Sequence, residues 1–400
     1  MNALQEKALA LSSHGYGLYV HVPFCASTCD FCAFYQEAPE RAAVERYLEG
    51  IQREVALRQP PRRARTVFIG GGTPGVLTAR DFQQLGSTLQ PLIDPDGFAE
   101  WTVEMAPSTV KTDKLRALRD SGVTRISLGV QSFNERFLEA LGRRQSAKQA
   151  RAAYDLIRAE GFQSVNLDLI FAIPGQDRPE LEADLEAAVA LEPDHISTYC
   201  LTFEEDTALY VRLSEGRLAI DETREADLYA RTWDFLEARG YAQYEVSNFA
   251  KPGHLCQHNL ITWQMGDWLG LGPAAASQWT NQRFMNVPDL QRWGQGLSEE
   301  KLEVVEAYEL TESLLLADRL IFGLRTVEGV HLEALRTRFG DSAVQAVLNW
   351  PIWARWRAAG WLEAEASCLR LTRQGRLLAD RLGVEILEAQ ENQDAPQVIC

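Results

Sequence analysis

The sequence predicts an α/β protein: a partial (βα)6 barrel followed by a mainly helical, winged-helix-like C-terminal domain. Two patterns point there. Six short apolar or β-branched runs alternate with stretches whose apolar residues recur at three and four, as helices covering a mainly parallel sheet require. After about Leu201 this alternation stops, and from about Glu299 onward helices followed by a hairpin take over. At 400 residues and 46% hydrophobic, the chain has material for a large core, which excludes disorder as its default state.

Taken in order, residues 1–17 are a lead-in and 18–240 the barrel. Its strands are expected at Leu18–Val22, Thr66–Ile69, Trp101–Met105, Arg125–Val130, Ser164–Ile170 and His195–Leu201. Between them, helices are expected at Arg41–Arg58, Thr78–Gln90, Thr112–Asp120, Ser146–Glu160 and Glu180–Leu191. Such steps curl into an open barrel, with functional groups at the carboxyl ends of its strands. Residues 241–298 cluster aromatics and glycines and read as a loop-rich cap and linker. The stretch 299–388 reads as helices over Leu302–Leu324, Leu332–Phe339 and Ser342–Ala359, a hairpin of Trp361–Glu365 with Cys368–Leu371, and a helix over Thr372–Leu382. The polar tail, 389–400, is expected to fray.

Forty Lys plus Arg against 56 Asp plus Glu leave a net charge of −16, a field that repels polyanions, so nucleic acid is not an expected partner. The arginines of the winged-helix-like tail raise a DNA-binding reading, but interleaved acids dilute the patch. No apolar stretch is long enough to cross a bilayer, and the first residues lack the basic and apolar regions of a secretory signal. A cytoplasmic protein without a transmembrane segment is expected; a peripheral membrane contact and a homodimer stay open.

Seven cysteines make an odd count, and three fall within eight residues: Cys25-Ala-Ser-Thr-Cys29-Asp-Phe-Cys32, directly after the first strand. That is a metal site in a reducing compartment rather than a disulfide framework. A closed zinc site asks for a fourth ligand that the neighbourhood does not supply. A four-iron cluster on three thiolates keeps one iron open for a chelating, amino-acid-like ligand.

CxxxCxxC after a first barrel strand, with Gly70-Gly71-Gly72-Thr73-Pro74 after the second, resembles the radical S-adenosylmethionine superfamily. Further stretches resemble its subgroup of oxygen-independent coproporphyrinogen oxidases and HemW-type haem chaperones: Val103-Glu104-Met105-Ala106-Pro107, Gly129-Val130-Gln131-Ser132-Phe133, Leu141-Gly142-Arg143, Asn166 to Ile170 with Ile173-Pro174-Gly175-Gln176, and Tyr244 to Ala250. The resemblance runs from Tyr19 into the C-terminal helices. It implies a [4Fe-4S] cluster on Cys25, Cys29 and Cys32. It also implies S-adenosylmethionine flanked by Tyr19 and Phe31, with its polar groups held by Gly71, Gly72, Thr73, Glu104, Gln131, Arg143 and Asp168, and one-electron cleavage of that cofactor.

The same residues have readings of their own. Glu104 and Asp168 lie in apolar strands, where an unpaired carboxylate is costly, so each awaits either a ligand or a salt bridge inside the barrel. Gln131 could satisfy neighbouring backbone, and Arg143 could cap the helix Asn134–Leu141.

Within the subgroup, the oxidases carry a fourth cysteine two residues after the third, where this chain has Phe34, and a longer segment before the first strand than the seventeen residues found here. Both departures favour the chaperones, with haem and acceptor haemoproteins as partners; coproporphyrinogen oxidation is the alternative. Cys256-Gln257-His258-Asn259-Leu260-Ile261-Thr262-Trp263 resembles the chaperones' haem-binding HNxxYW segment, which makes His258 an expected axial ligand. Thr262 replaces the tyrosine of that pattern, and Ala276 stands where relatives commonly have histidine. A loop histidine bonded to backbone is the other reading of His258.

Overall fold

A computed structural model describes residues 15–365 and 367–394. Most of the expected lead-in and tail, with His14 and Cys400, therefore lie outside the described residues.

Six parallel strands pair in sequence order: β1 (Tyr16–Val22), β2 (Ala64–Gly71), β3 (Glu100–Met105), β4 (Arg125–Gln131), β5 (Ser164–Phe171) and β6 (His195–Cys200). They fall where the sequence places them, within one or two residues at either end. The intervening helices are Arg41–Arg58, Ala79–Leu89, Thr112–Asp120, Ala147–Ala159 and Arg178–Val189. Three of them start on reciprocal caps: Thr78 with Asp81, Ser146 with Gln149, and Asp177 with Glu180. The last begins before the expected Glu180, because Asp177 caps it and Pro179 sits in its first turn, where proline is tolerated.

Period-two alternation divides each strand between two environments. Leu18, Val20, Val67, Ile69, Trp101, Val103, Ile126, Leu128, Val165, Leu167 and Ile196 are buried against Leu48, Ile51, Phe82, Leu85, Leu115, Ile157 and Leu185 of the helices. The core therefore lies outside the curled sheet. The alternate residues, including Tyr19, Thr66, Glu104, Ser127, Asp168 and Ser197, face the inside and make it a polar lumen.

Residues 241–298 are not the loop-rich cap their composition suggests. They supply β7 (Ala242–Gln243) and β8 (Asn248–Ala250) beyond β6, and β9 (Trp268–Leu271), β10 (Ala276–Trp279) and β11 (Gln282–Asn286) beyond β1. Strand β9 runs parallel to β1. The strand β12 (Val304–Glu309) follows, in the first part of what the sequence predicts as one helix over Leu302–Leu324. The helix begins only at Glu312, where the Thr311 side chain accepts from the Leu314 amide. Among the described residues the sheet counts twelve strands, in the order β12-β11-β10-β9-β1-β2-β3-β4-β5-β6-β8-β7.

Beyond it, helices Glu312–Leu324, Leu332–Phe339, Asp341–Leu348 and Pro351–Ala358 pack with β13 (Val330–His331), β14 (Leu362–Ala364) and β15 (Cys368–Leu371) around their own core. This is the winged-helix-like unit the sequence predicts. Pro351 splits the expected Ser342–Ala359 helix by opening a new one. The expected last helix, Thr372–Leu382, is instead a single turn, Arg373–Arg376, followed by Ala379–Asp394.

One buried carboxylate ties the added strands to the barrel. Glu54 accepts from Arg58, from the Gly272 amide (2.8 Å), from Asn286 Nδ2 (2.8 Å) and from Trp293 Nε1 (3.3 Å). Gly272 has φ +95°, and a Cβ there would stand 2.5 Å from the His21 carbonyl, so only glycine permits this approach. Glu54→Ala leaves the Gly272 amide and Trp293 Nε1 buried without an acceptor and takes the countercharge from the Arg58 guanidinium, which keeps only Asn286 Oδ1. We expect a loss of about 3 kcal/mol, with Glu54→Gln losing less, read as lowered urea midpoints at unchanged slope.

Candidate cofactor site at the carboxyl ends of the strands

The loop after β1 carries the three cysteines. Cys25 Sγ lies 3.4 Å from Thr73 Oγ1, and the Cys32 amide donates to the Cys29 carbonyl at 3.2 Å. All three thiols are free and partly buried. Burial pushes the Cys25 and Cys29 thiols up, Arg143 pulls both down, and the sulfurs are close enough to affect one another's ionisation. Among the described residues no three His, Cys, Asp or Glu side chains close on a single ion. A cubane cluster asks for less, since each thiolate takes a different iron and the sulfurs stand around the cluster instead of meeting at a point.

The glycine run after β2 lies alongside. The Gly72 amide donates to the Val22 carbonyl and the Thr73 amide to the Phe24 carbonyl, both at 2.8 Å, which holds the run against the cysteine loop. A Cβ on Gly72 would reach 2.8 Å from the Phe24 carbonyl oxygen, and Gly71, at φ +104°, would press one into His21. The cradle is therefore backbone only, as close approach by a ligand's amino-acid portion demands.

Glu104 accepts from the Gly71 amide at 3.2 Å. Burial, then the charge of Asp168, push its carboxyl up to about 8. Asp168 accepts from Ser127 Oγ and Asn166 Nδ2, both at 2.8 Å, and burial raises its carboxyl as well. Among the described residues neither carboxylate has the ion pair that the sequence left open. Two buried acids without a cation suit a ligand with a positive charge and hydroxyls.

The Gln131 backbone is left-handed (φ +67°) at a bulge closing β4. It is Gln145 that donates to the Gly129 and Val130 carbonyls, and so the Gln131 amide is not used on backbone. Both the Gln131 amide and the Arg143 guanidinium lie over Gly129, within 3.0 and 3.9 Å of where a Cβ would stand. Arg143 also faces the Phe31 ring at 5.8 Å, with its Nε unpartnered, so its charge points into the site and not along the helix Glu135–Ala140. Tyr19 completes the group; its hydroxyl contacts His21 Nδ1 at 3.0 Å, and burial, then Glu104, push its pKa well up and keep the phenol protonated.

These residues converge; His258 stands apart. It lies on the helix Gln257–Trp263, whose first amides point at Glu100 (3.3 Å for both Gln257 and His258), and Glu100 faces the buried Arg125. The His258 ring meets Thr66 Oγ1 at 2.9 Å, tilts over Phe68 at 5.3 Å and is 7% exposed; burial pulls it down to about 4, so it is neutral. It adjoins Gly17, five residues before the end of β1, or about 16 Å below the cysteine loop at the usual strand rise.

Sequence reasoning missed the column between the two ends. Asn166 donates to Asp168, so its carbonyl accepts from His195 Nδ1 (2.6 Å), and His195 Nε2 accepts from the Tyr244 hydroxyl (2.9 Å). Burial holds His195 neutral. The readable signal was polar residues at every second position of β4, β5 and β6.

Comparison with known proteins agrees with this geometry. The family model of the radical SAM superfamily matches residues 19–188, and that of the HemN C-terminal domain matches 310–378. The haem chaperone HemW of Bacillus subtilis is 31% identical over 374 residues, covering 91% of this chain and 97% of that protein. The chain belongs to the HemW family of haem chaperones. Mycobacterium tuberculosis HemW is 34% identical over 377 residues, covering 91% and 93% of the two chains; Escherichia coli HemW is 38% identical over 263 residues, covering 64% and 68%. Among solved structures, E. coli coproporphyrinogen III oxidase (HemN), a radical SAM enzyme, superposes with a TM-score of 0.81 at 22% identity, over 96% of this chain and 93% of that one. At that identity the likeness shows the shared fold. Phe34, two residues beyond Cys32, is 65% exposed.

Glu104 gives a pH test. Folded, it keeps its proton up to about pH 8; unfolded, it releases it near 4.5. The folded state therefore holds more protons across that window, and stability falls as pH rises through it. Urea unfolding of cofactor-free wild type and Glu104→Gln at pH 5 and pH 8 is expected to show the variant gaining on wild type at the higher pH.

Proposed function

We propose that this chain is a cytoplasmic haem chaperone that holds a [4Fe-4S] cluster on Cys25, Cys29 and Cys32, holds S-adenosylmethionine beside it, and passes haem to an acceptor haemoprotein. The observation that carries the reading is the convergence, at one end of the lumen, of three free thiols, a backbone-only glycine cradle and two buried carboxylates without a cation. When bound, the cluster and the sulfonium nucleotide supply one-electron chemistry. The chain's own share is binding and orientation. Gly71, Gly72 and Thr73 offer backbone to the methionyl group, Glu104 and Asp168 offer acceptors, Gln131 and Arg143 offer donors, and Tyr19 and Phe31 flank the pocket.

Haem is the cargo. As a neutral imidazole, His258 can ligate iron with one nitrogen while the other bonds Thr66, the usual arrangement for a metal-binding histidine. Its burial means that haem reaches it when the helix Gln257–Trp263 shifts. Thr262 keeps a hydroxyl without the ring of the family pattern's tyrosine, and Ala276 lacks an imidazole.

Three measurements test the reading. Anaerobically reconstituted protein is expected to give a four-iron electron-paramagnetic-resonance signal that S-adenosylmethionine perturbs. The same protein with coproporphyrinogen III and a reductant is expected to form no protoporphyrinogen; turnover would make it an oxidase. Haem titration is expected to shift the Soret band, and His258→Ala to weaken binding about tenfold, the loss of one axial ligand.

A further inference from the structure

Asp30 lies between Cys29 and Phe31, inside the cysteine loop. Its amide donates to the Leu141 carbonyl (3.0 Å), its carbonyl accepts from the Leu209 amide (2.9 Å), and its carboxylate pairs with Arg212. Among the described residues, every hydrogen bond from 26–34 to another segment passes through this one residue. Ala26, Ser27 and Thr28 before it, and Ala33 and Phe34 after it, are exposed. The loop that carries three sulfurs is therefore pinned at its middle by a single side chain and its peptide groups.

Both segments that hold Asp30 are themselves set. Gly142 is left-handed (φ +70°), and a Cβ there would fall 2.4 Å from the Asp30 carboxylate, so glycine makes room for Asp30 beside Leu141. Leu209 and Arg212 lie on the helix Ala208–Ser214, which starts on the Thr207 side chain. Leu209 is buried with Phe137, Leu141, Ile170 and Ile173, and Phe31 of the loop packs against this same cluster. The helix thus covers the outer side of the loop, with Phe31 as its apolar contact and Asp30 as its polar one.

We propose that Asp30 is a positioning residue for the three thiols: with Arg212 it docks the helix Ala208–Ser214 on the cysteine loop and so fixes the spacing of Cys29 and Cys32. This inference rests on the cluster reading above. The Arg212–Asp30 pair is partly solvated, with side chains 37% and 24% exposed, so its removal loosens the loop and leaves the fold in place.

The test uses full-length protein reconstituted without oxygen, as wild type, Asp30→Ala, Arg212→Gln and Arg212→Lys. Two readouts are taken: amide hydrogen exchange over 207–214, and the rate at which an iron chelator strips the reconstituted protein. Arg212→Gln and Asp30→Ala are expected to raise both about three- to fivefold, and Arg212→Lys to stay near wild type, as befits a partly exposed ion pair. Exchange and stripping unchanged in Arg212→Gln would overturn the proposal, as would faster exchange with unchanged stripping. Wild type that takes up no four-iron cluster would overturn the cluster reading and this inference with it, whereas wild type that loads normally beside indifferent variants would overturn the inference alone. Arg212→Gln keeps the loop sequence intact, so the outcome stands even if Asp30→Ala does not fold.

Discussion

Two carboxylates inside a curled sheet cannot both be charged without a cation, and much of this molecule is arranged around that constraint. Burial and the charge of Asp168 raise the cost of ionising Glu104, burial raises that of Asp168, and what the chain offers them is hydrogen bonds: the Gly71 amide for one, Ser127 and Asn166 for the other. The nearby cations are committed elsewhere. Arg125 faces Glu100 at the opposite end, and Arg143 looks toward the thiols.

The lumen has two chemically different ends joined by a neutral column. At the mouth lie sulfur, backbone amides and acids. At the floor lie a neutral imidazole, Thr66 and the Phe68 ring, under a short helix whose amino end meets the charge of Glu100. Between them Asn166, His195 and Tyr244 pass hydrogen bonds from one layer to the next without adding charge. Charge still reaches across the column: Arg125 pulls the Asp168 carboxyl down against the burial that pushes it up.

Much of this was legible in the sequence, for identifiable reasons. The six parallel strands and their helices were readable because each is a long local pattern, and the site residues because they follow directly on strand ends. β9 to β12 escaped because they are short, and their partners lie far off in sequence; Val304 and Val305 beside Leu310 and Leu314 look like one apolar face of a helix until Thr311 is recognised as a cap. His258 was legible as a residue but not as a location. No local pattern shows that its helix is anchored by Glu100, some 150 positions earlier. The pinning of the loop by Asp30 was likewise invisible, since Leu141, Leu209 and Arg212 come from two other segments.

Among the described residues the sheet ends in two margins, β12 and β7, that do not pair with each other. A cylinder stitched shut all the way round has a fixed girth, because widening it would break ladder bonds between neighbouring strands. This one is a scroll. Small changes in twist, spread over many strand pairs, can alter its bore while every ladder stays intact, and the width of the lumen becomes a soft property of the whole wall instead of a hard dimension of one ring.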